Sequence, residues 1–100
     1  MSGDYVNDTV SVAQNLQEII EVPQDAQGKS EAVALITDYI SRYRNRSQVN
    51  GTMSFTTMQT AGNSLAGHYK TFPNRPLPDG LKNRLNDELT KAQDLANKNS

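Results

Sequence analysis

In four stretches of this chain the apolar residues return every three or four positions, and nowhere do they alternate over the length of a strand. That spacing lines up side chains along one face of a helix, so the chain is constrained to amphipathic helices that must cover one another. The stripes are Val12, Leu16, Ile19 and Ile20, extended by Val6, Thr9 and Ala13; Ala32, Ile36, Tyr39, Ile40 and Tyr43; Phe55, Met58, Ala61, Leu65, Tyr69 and Phe72; and Leu81, Leu85, Leu89, Ala92 with Leu95 or Ala96.

Helix-breaking residues separate the stripes and predict helices over residues 5–21, 29–45, 54–72 and 78–97. Asp4 is suited to cap the first helix, although Asp8-Thr9 offers a later start, and Pro23 ends it by withholding a backbone donor and restricting Val22. Asp25 or Ser30 can cap the second. Ser47 to Thr52 reads as a loop, and Asn50-Gly51 within it joins helices because no alternating strands flank it. Pro73 stops the third helix. The joint from Phe72 to Pro78 is stiffened by Pro73, Pro76 and Pro78, the last of which fits the first position of the fourth helix. Asp79 and Lys98 then suit the two ends of that helix's dipole. Gly62 and Gly67 each weaken the third helix by about 1 kcal/mol relative to alanine, and a glycine inside a packed helix lets a neighbouring backbone approach. Four such helices with short connections in 100 residues predict an all-α, up-down-up-down four-helix bundle forming a single domain.

The sequence is poor in chemistry. Without cysteine there is no disulfide, thiolate metal site or thiol nucleophile. His68 is the only histidine, so the Glu-x-x-His pairs by which bundles hold metals cannot form, and packing or surface hydrogen bonding is its expected role. Ser64 and His68 lie one turn apart but lack an acidic orienter and an oxyanion-hole motif, and no phosphate-binding glycine loop is present. The expectation is a binding protein with no cofactor, no metal and no catalytic residue. No apolar run approaches the roughly 18 residues of a membrane span, and the start Met-Ser-Gly-Asp has no signal-peptide character. The chain reads as cytosolic or as a mature form.

Charge is unevenly placed although the formal net charge is only -1. From Asp4 to Ser41 the acids face Lys29 alone, and from Arg42 to Arg84 the bases face Asp79 alone. This asymmetry can steer a partner or match antiparallel helices to each other. Arg42, Arg44 and Arg46 alternate near the end of the second helix, which gives an alternative reading as a helical adaptor or nucleic-acid module. Tyr39 and Tyr43 beside them are expected at the core edge with hydroxyls in water.

Particular segments go beyond generic bundle sequence: Asp38-Tyr39-Ile40-Ser41-Arg42-Tyr43-Arg44, Ser54-Phe55-Thr56-Thr57-Met58-Gln59-Thr60-Ala61, Asn63-Ser64-Leu65-Ala66-Gly67-His68-Tyr69, Asn74-Arg75-Pro76-Leu77-Pro78 and Leu81-Lys82-Asn83-Arg84-Leu85. In this order they closely resemble the Psb27 family of photosystem II assembly and repair lipoproteins. Gly62 departs from it, standing where a larger apolar residue is expected. The resemblance implies a non-enzymatic, monomeric four-helix bundle in the thylakoid lumen. It would bind photosystem II, at the large lumenal loop of an inner antenna chlorophyll protein, before the manganese cluster and mature extrinsic subunits are in place. It also implies membrane attachment only through a lipid on an N-terminal cysteine, which this sequence lacks, as a soluble mature form with Met1 added would. Nucleic acid is not an expected partner on this reading. The residues expected to contact the partner are Asn74, Arg75 and Pro76 in the stiff joint, with Lys82 and Arg84 at the start of the fourth helix and Thr57 and Asn63 on the third.

Overall fold

The computed structural model describes residues 1–99. It contains α1 (Tyr5–Glu21), α2 (Ala26–Tyr43), α3 (Met53–Thr71) and α4 (Asp79–Asn97), and no strand among the described residues. A 19-residue helix rises about 28 Å, so each helix runs along most of the 38 Å long axis. Packing is cyclic: α1 lies against α2 and α4, and α3 against α2 and α4, with the most extensive contacts along α4.

Short polar side chains start three of the helices. Asp4 accepts from the Asn7 N–H at 3.1 Å, Asp25 from Gly28 at 2.7 Å and Thr52 from Phe55 at 3.2 Å, each filling one of the donors a helix start leaves open. Asp25 rather than Ser30 therefore opens α2. Pro78 sits at the cap position of α4, outside the helix, and makes no side-chain cap bond. At the end of α1 the Gln24 amide reaches back to the Ile19 carbonyl at 3.0 Å, covering an acceptor that Pro23 cannot.

The four stripes meet in one core, with Leu16, Ile36, Phe55, Leu65, Leu85 and Leu89 all buried. Val49 from the loop after α2 is buried as well, so this connection closes the core's end as it turns. Gly62 lets α2 and α3 come together: a Cβ there would lie 2.8 Å from Ile36 Cγ2. The larger residue expected at that position has its place taken by Ile36.

The two tyrosines expected at the core edge are inside it. Tyr39 and Tyr43 are 1% and 0% exposed, and their hydroxyls bond to protein rather than to water. The Tyr39 hydroxyl is 2.8 Å from Thr9 Oγ1, and the Tyr43 hydroxyl donates to the Asp8 carboxylate. A phenol can be buried at this cost only with a partner, and both partners lie on α1, on its buried side.

A candidate docking surface

Two proline-bearing joints come together at one end of the bundle. The α1–α2 joint, Val22 to Asp25, and the α3–α4 joint, Phe72 to Pro78, form the two walls of a groove of about 470 Å³, with Ile20, Tyr69 and Leu77 among its apolar lining. Lys29 ties the walls together: its ammonium donates to the Pro73 carbonyl and lies 5.8 Å from the centre of the Tyr69 ring. Burial pushes the Tyr69 hydroxyl's pKa above the ordinary phenol value, so it stays protonated there. Lys82, at the start of α4, makes a 3.6 Å ion pair with Glu21 at the end of α1. Both contacts hold the joints in a fixed relation and leave little to be ordered on binding.

Asn74, Arg75, Pro76 and Lys82 are thus brought together on this groove. Arg75 is exposed, its guanidinium lies 5.4 Å from the centre of the Phe72 ring, and it has no carboxylate partner among the described residues. It sits over an aromatic face with its donors free, an arrangement that suits bidentate recognition of a carboxylate. Phe72 itself is 41% exposed and Val22 is 57% exposed, so large apolar side chains accompany the cation. His68 packs against it, the ring centres 5.3 Å apart and the rings tilted, with its Nε2 unpaired among the described residues; of the two roles expected of it, packing is the one observed.

The other expected contact residues lie elsewhere. Arg84 turns toward α3, with Nη2 3.2 Å from Ser64 Oγ and Nε 3.6 Å from Glu88. Asn63 is exposed on α3, and Thr57 lies a further turn and a half toward the opposite end. From Thr57 to Thr71 the helix rises about 21 Å, so Thr57 does not share the groove. It belongs instead to an uncharged outer face: α3 carries no charged residue from Met53 to Gly67. Thr56, Thr57 and Thr60 return their hydroxyls to the carbonyls of Thr52, Met53 and Thr56 at 3.1, 2.7 and 3.0 Å. With those donors spent inside the helix, the face presents methyl groups that cost little to dehydrate.

The groove's second wall was not singled out in sequence. Its signal was nonetheless present: in a cyclic up-down-up-down bundle the joints after the first and third helices fall at the same end, so Pro23 must face Pro73 to Pro78. Asp8 gave no such signal. It is 4% exposed and belongs to a hydrogen-bonded cluster at the opposite end. Burial alone would raise its carboxyl, but donors from Tyr43, from the Ser2 N–H and hydroxyl, and from the Gly3 N–H overcome this and bring it down to about 2. Burial, reinforced by the bond to Asp8 and its negative charge, pushes Tyr43 up to about 12. Tyr5 completes the cluster, its hydroxyl 2.6 Å from Ser54 Oγ and its ring 5.2 Å from that of Tyr43.

Among the described residues, no group of three or more histidine, cysteine or acidic side chains is arranged to hold a metal. The surface offers shape, one free guanidinium and apolar side chains, which is equipment for binding. Comparison with known proteins assigns it a family: the sequence profile described as Photosystem II Pbs27 matches residues 1–95. The chain belongs to the Psb27 family. Photosystem II lipoprotein Psb27 of Synechocystis sp. is 48% identical over 97 residues, which cover 93% of this chain and 72% of that protein. Photosystem II assembly factor lipoprotein Psb27 of Thermosynechococcus vestitus is 39% identical over the same shares of the two chains. A solution structure of Psb27 from cyanobacterial photosystem II superposes with a TM-score of 0.91 at 43% identity, covering 100% of this chain and 90% of that one. Psb27 proteins are accessory factors rather than enzymes, and the four-helix bundle is the fold of this family.

Proposed function

We propose that this chain is a non-catalytic accessory factor that binds photosystem II transiently, on its lumenal side, during assembly and repair. It acts before the manganese cluster and the mature extrinsic subunits are in place, as a monomer in the thylakoid lumen. Its partner is the large lumenal loop of an inner antenna chlorophyll protein. The observation that carries this reading is the family match over residues 1–95, together with a relative named as a photosystem II assembly factor.

The docking element is the joint end of the bundle. Arg75, lying on Phe72 and unpaired, takes a carboxylate of the loop, while Val22, Phe72 and Pro76 supply apolar contact around it. Asn74 and Lys82 border the same groove, and Arg84, Asn63 and Thr57 extend the contact along α3 and α4. An arginine that loses its partner at the centre of an interface weakens binding by at least about 2 kcal/mol, or about thirtyfold.

Binding of the purified chain to photosystem II assembly intermediates, with Arg75→Ala and Phe72→Ala compared with the unaltered protein, tests the reading. Arg75→Ala should bind at least about thirtyfold and Phe72→Ala at least about tenfold more weakly, both with unchanged thermal unfolding. Unchanged affinity in both would remove the joint from the interface. If the unaltered chain ignored photosystem II but bound nucleic acid in a steeply salt-dependent way through Arg42 to Arg46, the adaptor reading would replace this one.

A further inference from the structure

The arginine cluster that the docking surface leaves unused sits at the opposite end of the bundle. This end is built from the start of α1, the turn after α2, the start of α3 and the end of α4. Arg46 is fixed on it. Its guanidinium lies 4.6 Å from the centre of the Tyr43 ring, and Nη1 donates to the Gly3 carbonyl at 3.1 Å. Arg44 is exposed with no partner among the described residues. Arg42 pairs with Asp38 at 3.2 Å, and both side chains remain about half exposed, at 45% and 52%.

Three of the acids at this end are occupied: Asp4 caps α1, Asp8 is buried among its donors and Asp38 holds Arg42, while Asp94 near the end of α4 is exposed. No acidic residue occurs in the sequence between Asp38 and Asp79. The same end also exposes large apolar side chains: Met53, which opens α3, is 59% exposed and Met1 is 42% exposed.

Exposed arginines around protruding apolar side chains make an interfacial membrane contact, in which the cations meet anionic headgroups and the apolar groups enter the acyl boundary. Two relatives are named lipoproteins, so a membrane is the surface beside which they are held. No helix among the described residues is long and apolar enough to cross one. We propose that the Arg42–Arg44–Arg46 end, with Met53, rests on an anionic lipid surface and orients the bundle with its proline joints pointing away.

Sedimentation of the full chain with phosphatidylglycerol/phosphatidylcholine vesicles at low salt tests this. Partitioning should rise with the phosphatidylglycerol fraction. It should fall about fivefold for Arg44→Gln and again for Arg46→Gln, and by several-fold for Met53→Gln. Arg75→Gln, at the other end, should change nothing. Arg44→Gln is the decisive variant because Arg44 has no contact within the fold to lose. Equal partitioning onto neutral vesicles, no binding to anionic ones, or the same loss from Arg75→Gln as from Arg44→Gln would overturn the proposal. So would tighter binding to a single-stranded oligonucleotide than to vesicles through the same arginines.

Discussion

Gly62 and Gly67 lie in the same helix and would receive the same methyl group, yet their environments demand opposite outcomes. At Gly62 an added Cβ would stand 2.8 Å from Ile36 Cγ2, 3.6 Å from Cγ1 and 3.7 Å from Cβ. Carbon atoms in contact prefer about 3.5–4.0 Å, so Ile36 or the α2–α3 spacing must yield by about 1 Å. Ile36 has little room: it is 3% exposed, and its branched Cβ allows essentially one rotamer in a helix. Overpacking of this kind costs about 1–3 kcal/mol, against a gain of about 1 kcal/mol from replacing helical glycine by alanine. Gly62→Ala should therefore range from neutral to about 2 kcal/mol destabilising. Around Gly67 nothing lies within 4 Å of the added atom, so Gly67→Ala should keep the whole gain and raise Tm by about 4–8 °C for a domain of this size. Thermal and urea unfolding followed by far-UV circular dichroism would measure both. Replacing Ile36 by Leu removes Cγ2, so the Gly62→Ala/Ile36→Leu pair should recover part of the loss as a positive coupling. Equal stabilisation by the two alanines would refute the close approach of α2 and α3 at Gly62.

Asp8→Asn should destabilise the bundle by about 1–3 kcal/mol at neutral pH, because the donors of Tyr43, Ser2 and Gly3 lose a charged acceptor. Since the folded state lowers the Asp8 carboxyl to about 2, its contribution is full above the unfolded carboxyl's range and is lost as pH falls from about 5 toward 2; urea midpoints across that range should fall less steeply in the Asn variant. In the alkaline range the sign reverses. Tyr43 is raised to about 12, so its contribution should persist below pH of about 10 and disappear as pH rises through 12, a loss that Tyr43→Phe should remove. Tyr39→Phe and Thr9→Val should each cost about 1–2 kcal/mol by leaving one buried hydroxyl unpaired, while the double variant should cost less than the sum of the two in a denaturation cycle. Asp25→Ala should cost about 1 kcal/mol in the same assay through loss of the α2 cap.

The helices were legible because periodicity reports burial directly: Leu16, Ile36, Leu65 and Leu85 occupy the core that their spacing assigned to them. The helix starts were less legible, since several capping residues compete over a few positions and only the observed bonds choose among them, as with Asp25 over Ser30. The polar interior was only partly legible. Spacing put Thr9 on the inner stripe of α1, where it is buried, but Asp8 beside it is charged, and a charged residue is read as exposed unless its partner is known; Tyr43 is 35 positions away in sequence. The same distance hid the fate of Tyr39 and Tyr43, whose hydroxyls would indeed require water if α1 offered no acceptor. Among the expected contact residues, Asn74, Arg75 and Pro76 were bound to stay together by the stiffness of their joint. Thr57, Asn63 and Arg84 were scattered by helix geometry, which sends residues a few positions apart to different faces.

The buried polar bonds bear on how the two ends divide their work. Thr9–Tyr39 and Asp8–Tyr43 join α1 to α2, and Tyr5–Ser54 joins α1 to the start of α3, so three helices are held in one register at the arginine end, where apolar stripes alone would tolerate sliding. At the other end the register is held by surface contacts, Lys29 to Pro73 and Lys82 to Glu21, which are exposed and individually weak. The stiff joints are consequently carried on a bundle whose internal alignment is fixed far from them, and substitutions in the groove should alter binding with little effect on folding. The proposed lipid contact and the groove lie toward opposite ends of a 38 Å axis, so Arg75 and its neighbours can be engaged without obstructing the lipid contact. A surface that confines the bundle to the membrane of its partner raises the partner's effective concentration at the joint. The joint can then remain a modest interface of a few apolar side chains and one arginine, which allows firm delivery without preventing release.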